Sequence, residues 1–149
     1  MGRDVYMFTD EEYTKEKGYA KKGYEKLKGK DTGATGYLRN PPYGWGSDGP
    51  IDVDFLGDTP NVLDHLLNLC LVREETFMKY LNKPKELLIN TNKDPILTVN
   101  SLNEVKEAVI KMQNEKPDDY NEKYIELIDF YLLGIELQLA GKHPKVLVA

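Results

Sequence analysis

Apolar side chains recur along this chain at two spacings, and the switches between them divide it into elements. Asp4-Val5-Tyr6-Met7-Phe8 is β-branched and aromatic, which predicts a short first strand over 4–8. Thr9 with Glu12 three residues on forms a capping box, so a helix is expected from near Asp10. Tyr13, Ala20, Tyr24 and Leu27 follow one side of it, although Gly18 and Gly23 each weaken it by about 1 kcal/mol relative to Ala. Residues 29–50 are rich in Gly, Thr, Pro and Asp and read as irregular. Ile51, Val53 and Phe55 then alternate with Asp52 and Asp54, the pattern of a half-buried strand over 51–55.

The remainder is dominated by the helical period. Thr59-Pro60 predicts a helix start, with Thr as cap and Pro at the first position. Val62, Leu63, Leu66, Leu67, Leu69, Cys70, Leu71 and Val72 make that helix apolar on most sides, as befits a central one. Residues 73–81 continue it, with Phe77, Met78 and Leu81 on one side, until Pro84 breaks the run. Residues 86–89 and 96–99 read as short strands flanking a turn, although Lys85-Glu86-Leu87-Leu88 suits a helix as well. Ser101 and Glu104 form a second capping box before a helix over about 102–114, with Val105, Ala108, Val109 and Met112 inward. Pro117 and Asp118 open a last helix over about 119–140. Its inward stripe is Tyr120, Tyr124, Leu127, Ile128, Tyr131, Leu132, Ile135 and Leu139, with Gly141 as its C-terminal stop. Val146-Leu147-Val148 is a short apolar tail that either pairs as a strand or frays.

The expected architecture is therefore α+β and helix-dominated: four to five helices, a small antiparallel sheet, and a long ordered Gly/Pro/aromatic loop. Helix content should exceed strand content several-fold, and Trp45 should be at least half buried. A chain of 149 residues suits a single domain over 1–149. It divides into a Gly- and Tyr-rich part over 1–58, basic over residues 1–40, where all its cations lie, and an acidic helical body over 59–149. The net charge of −5 splits as +2 over residues 1–40 and −7 over 41–149. Such a split can orient the protein on a charged partner, but it is a weak bias for duplex nucleic acid. No apolar run is long enough to cross a bilayer, no secretory leader is expected, and the single cysteine, Cys70, reads as a small buried hydrophobe. A cytoplasmic setting is the default.

The stretch with most chemical content is Tyr37-Leu38-Arg39-Asn40-Pro41-Pro42-Tyr43-Gly44-Trp45-Gly46. Its prolines and glycines forbid a regular helix, and ordered loops bearing flat side chains are frequent binding elements. Tyr37, Arg39, Asn40, Tyr43 and Trp45, with Lys21 and Lys22 from the lysine-rich segment upstream, are the candidate ligand- or partner-binding residues. Tyr, Trp and Arg are the usual anchors of protein interfaces. The same rings, with tyrosines interleaved among the upstream lysines, also suit a nucleotide or single-stranded nucleic acid. The plainer account makes the tyrosines packing residues and the lysines a solvated face.

Asn40-Pro41-Pro42-Tyr43 resembles the short catalytic motif of amino-group methyltransferases, a resemblance that spans four residues. It implies that Asn40 holds the target amine and Tyr43 stacks on an extruded base. In that family the motif follows a buried strand and a glycine-rich cofactor turn lies upstream. Residues 33–39 do not read as a buried strand, no such turn exists here, and the chain is short for a doubly wound domain. A turn that packs Tyr43 accounts for the same letters.

Other catalytic sets are thin. Asp48, Asp52, Asp54 and Asp58 would permit a metal-assisted enzyme, with Asp52 and Asp54 sharing one side of the 51–55 strand, but they do not match a calcium loop and suit acidic decoration. His65 and Cys70 are five apart, about 140° around a helix, and do not converge on zinc. Gly46-Ser47-Asp48-Gly49 lacks the first glycine of a nucleophile elbow, and no Walker-type or dinucleotide-type glycine pattern occurs. No cofactor and no metal is implied. The expectation is a binding or interaction protein, adaptor- or inhibitor-like and non-enzymatic, that engages a macromolecular partner, most simply a protein, through residues 37–46. A small-ligand or nucleotide binder using the same loop is the alternative.

Overall fold

A computed structural model of the chain describes residues 4–9, 35–42, 49–68, 75–91 and 94–148. The expected helix from Asp10, Tyr43, Trp45, Lys21, Lys22 and Cys70 lie outside the described residues. The described chain is α+β, with helix well in excess of strand. Its elements are β1 (Asp4–Phe8), β2 (Gly36–Arg39), β3 (Gly49–Asp52), α1 (Phe55–Leu66), α2 (Glu75–Met78), α3 (Lys85–Ile89), α4 (Pro95–Glu115), α5 (Asp119–Leu139) and β4 (Lys145–Val148). No described helix is long and apolar enough to cross a membrane.

The four strands form one antiparallel sheet in the order β2-β1-β4-β3. β1 forms as read from its sequence, and the apolar tail pairs with it as β4, Tyr6 opposite Leu147. Two expectations for the Gly/Pro region are corrected. Within the stretch read as irregular, Gly36–Arg39 is a strand, because β1 offers it a partner that local composition does not reveal. The strand read over 51–55 instead covers Gly49–Asp52, and Phe55 is the first residue of α1. The cause is Asp54: its carboxylate accepts from the Gly57 N–H at 3.0 Å, which ends the strand and caps a helix.

That cap also moves the helix start from the expected Thr59. Thr59 lies inside α1 and donates its hydroxyl to the Phe55 carbonyl, with Pro60 carried within the helix. The two short strands expected at 86–89 and 96–99 are both helical. Residues 85–89 follow their alternative helical pattern as α3, and 96–99 form the first turns of α4. Asp94 caps α4 by accepting from the Ile96 and Leu97 N–H groups, with Pro95 at the first position. Ser101, expected as a cap, is therefore a buried residue in the helix interior.

α4 and α5 are 21 residues each and pair across the Lys116–Asp118 connection. Asp118 caps α5 through the Tyr120 N–H at 2.8 Å. At its far end Gly141 has φ +81°, the Gly141 N–H bonds the Gln138 carbonyl and the Lys142 N–H bonds that of Leu137. That arrangement satisfies two terminal carbonyls and needs a residue without a Cβ. Val105, Ala108, Val109 and Met112 of α4 face Tyr124, Leu127, Ile128, Tyr131 and Ile135 of α5 in the core, whereas Tyr120 and Leu139 are exposed. The sheet contributes Val5, Met7, Leu38, Val146 and Val148 to the same core. Tyr6, Phe8 and Leu147 are buried on the opposite side of the sheet, outside that cluster.

Candidate functional site

β2 is an edge strand among the described residues, and it carries two of the expected binding residues, Tyr37 and Arg39, with Asn40 directly after it. Alternation along the strand sorts its side chains. Gly36 and Leu38 lie opposite Met7 and Val5 and face the helices, with Leu38 buried. Tyr37 and Arg39 lie opposite Tyr6 and Asp4 on the other face. Gly36 packs closely here. A Cβ there would stand 3.2 Å from Cδ2 of Leu133, 3.3 Å from Cβ of Met7 and 3.4 Å from Cε2 of Phe130, so a side chain would require these neighbours to shift.

Tyr37 is held rather than free. Its hydroxyl donates to the Asp4 carboxylate at 3.1 Å, and its ring lies 5.1 Å from that of Tyr6, tilted by 39°. It is nevertheless 45% exposed. Burial and the Asp4 hydrogen bond both push the phenol's pKa above its ordinary 10, with the charges of Asp4 and Tyr6 adding and Arg39 opposing. Arg39 and Asn40 are exposed. Asn40 has φ +47°, a left-handed conformation Asn tolerates, and so turns the chain off the strand into Pro41 and Pro42. The structure thus gathers Tyr37 and Arg39 with Asp4 and Tyr6, and sets Asn40 at the strand's end.

On the helix side of β2 lies a shallow, open depression of about 260 Å³, lined by Gly36, Tyr37, Glu126, Asp129, Phe130 and Leu133. The four α5 residues follow the i, i+3, i+4, i+7 spacing of one helix stripe. The sequence reading did not include this stripe, because it treated α5 as a core helix and took only its inward face. Asp129 is paired with Lys106 of α4 at 2.6 Å, and Glu126 has no ion pair among the described residues.

Of the four clustered aspartates, the side chains of Asp54 and Asp58 are among the described residues. Asp54 is engaged as the α1 cap and also receives Gln138 Nε2 at 3.3 Å, Asp48 and the Asp52 side chain lie outside the described residues, and no group of metal-ligating side chains converges among the described ones. His65 is partly buried near the end of α1, as expected. The strand that precedes Asn40 exists, contrary to the sequence reading. Among the described residues it is an edge strand of an antiparallel sheet, unlike the central parallel strand of the methyltransferase arrangement. No protein-family model, no curated protein and no solved structure matches this chain.

Proposed function

We propose that this chain is a non-enzymatic interaction protein that grips a macromolecular partner, a protein segment, along β2. The observation that carries the reading is one of position: Tyr37, Arg39 and Asn40 all fall on or just after a strand that is at the sheet's edge among the described residues, and are exposed. An edge strand offers backbone donors and acceptors to an incoming segment, and exposed Tyr and Arg supply side-chain anchors. The fixed Tyr37 ring supports this role, since its orientation is set before binding and little side-chain entropy is lost. The open shape of the neighbouring depression favours a partner that lies across it over a small ligand that must be enclosed. The single cysteine is consistent with a reducing, cytoplasmic setting.

The test compares capture of partners from lysate by the native protein and by a Tyr37→Ala/Arg39→Ala variant whose circular dichroism is unchanged. The reading expects partners held by the native protein to be lost by the variant. Equal recovery by both, or none by either, counts against it.

A further inference from the structure

From the chemistry beside β2 we infer that the partner is an extended segment bearing a lysine or arginine, whose cationic side chain enters the depression between β2 and α5. This rests on the edge-strand reading above and adds the partner's chemical class. A four-residue edge supplies few backbone hydrogen bonds, so side-chain contacts must provide the remaining selectivity. Side chains of an added strand alternate between the two faces of the sheet. Those on the helix side would lie over Gly36, which lines the depression. Phe130 and Leu133 give an apolar wall that suits the methylene stem of a long cationic residue. Glu126 is exposed at the same place with no ion pair among the described residues, while Asp129 is already held by Lys106. Among the described residues, the uncompensated charge offered to a newcomer is therefore negative. On the other face Arg39 stands opposite Asp4 in the strand register, so the positive charge at the strand's end has an acidic neighbour.

The same charges disfavour a second copy of this chain as the occupant. Two β2 strands paired about a two-fold axis through the sheet would bring two α5 helices alongside each other on one side. Glu126 of each would then approach Glu126 of the other, an arrangement of like charge. A basic partner meets attraction where a second copy meets repulsion.

The experiment titrates the isotopically labelled full chain with synthetic extended peptides, identical except for one central residue: lysine, arginine, glutamine, glutamate or norleucine. Amide shifts are followed at 36–39 and at Glu126, Asp129 and Phe130. The inference expects the lysine and arginine peptides to shift both groups of amides and to bind about fivefold more tightly than the glutamine and norleucine peptides, in proportion to one exposed charge pair. It expects the glutamate peptide to be weakest, added salt to narrow the differences, and Glu126→Gln to abolish the preference without unfolding. Binding at β2 that is indifferent to the central residue overturns the inference and leaves the edge-strand reading standing. No shift at 36–39 with any peptide overturns both. Shifts at the same amides that grow with protein concentration alone assign the edge to a second copy and overturn the inference.

Discussion

Gly134 and Phe55 compete for one space: a Cβ built on Gly134 would fall within 2.7 Å of Cγ, Cδ1 and Cδ2 of the Phe55 ring. The ring fills the surface of α5 at this point and meets Tyr131 edge-on at 5.3 Å between centroids. Glycine in a helix interior is ordinarily unfavourable, so its presence here marks a contact worth more than its propensity cost. Gly134→Ala is expected to lower stability by about 1–3 kcal/mol, the usual range for overpacking, in spite of alanine's better helix propensity. Urea unfolding reads this directly. Phe55→Leu in the same chain should recover part of the loss, a coupling that two independent sites would not show.

The start of α1 is held by two groups far apart in sequence. Asp54 accepts from the Gly57 N–H, and Gln138 of α5 accepts from the Leu56 N–H at 3.1 Å while donating to Asp54. Asp54→Ala should therefore cost about 1 kcal/mol, the ordinary worth of an N-cap. Gln138→Ala should cost about 0.5–1.5 kcal/mol despite its place in another helix, as for a typical internal hydrogen bond. A double-mutant cycle by chemical denaturation should show the two effects to be non-additive. Addition of Mg²⁺ should leave both values unchanged, since the Asp54 carboxylate is engaged in capping. A stabilising effect of Mg²⁺ lost in Asp54→Ala would revive a metal role for that residue.

Cap chemistry explains much of what was legible in the sequence and much of what was not. α5 could be read almost to the residue, because Asp118, a long apolar stripe and Gly141 all agree. The core face of α4 was equally plain, yet its start was misplaced by about two turns. Ser101 and Glu104 have the letters of a capping box, but Asp94-Pro95, with its cap seven residues earlier, is a stronger beginning, and once the helix runs from there Ser101 is interior. Asp54 hid in the same way behind an alternation that looked like a strand. β2 was missed because a four-residue edge strand is specified by its partner β1, some thirty residues away, and not by its own letters. Tyr37, Arg39 and Asn40 could be named as binding candidates from residue type alone. Their neighbours Asp4, Tyr6 and Glu126 could not, since register and helix contact bring them there.

Tyr37 should titrate above 10. Burial disfavours its phenolate, and Asp4 accepts a hydrogen bond that only the neutral phenol can donate. With the folded value raised, the neutral phenol is the form favoured by folding. The associated stability is fully present below pH 10 and is lost as pH rises through the folded-state value. Asp4→Asn should bring the titration back towards 10, because it removes the charge that opposes the phenolate. The protein has ten tyrosines, so the measurement is an NMR titration assigned by comparison with Tyr37→Phe. A Tyr37 titration at or below 10 in the native protein would show that Arg39 outweighs burial and Asp4 together.

Two hydroxyls at the α3–α4 junction are buried without a hydrogen-bond partner among the described residues, those of Thr91 and Thr98. Thr98 is the more informative, because its backbone N–H already bonds the Asp94 carbonyl at 2.9 Å and its side chain plays no part in the cap. A buried hydroxyl with no partner carries its desolvation cost uncompensated, about 1–3 kcal/mol. Valine keeps the branched shape, has similar helix propensity and removes the hydroxyl. Thr98→Val is accordingly expected to raise stability by about 1 kcal/mol, seen as a higher denaturation midpoint with an unchanged slope. Thr98→Ala removes the same hydroxyl but leaves a gap in the core, so it should be less stable than the valine variant. If valine instead destabilised the fold by a similar amount, the Thr98 hydroxyl would have to be paired in solution, and the junction between α3 and α4 would be held by a polar contact as well as by packing.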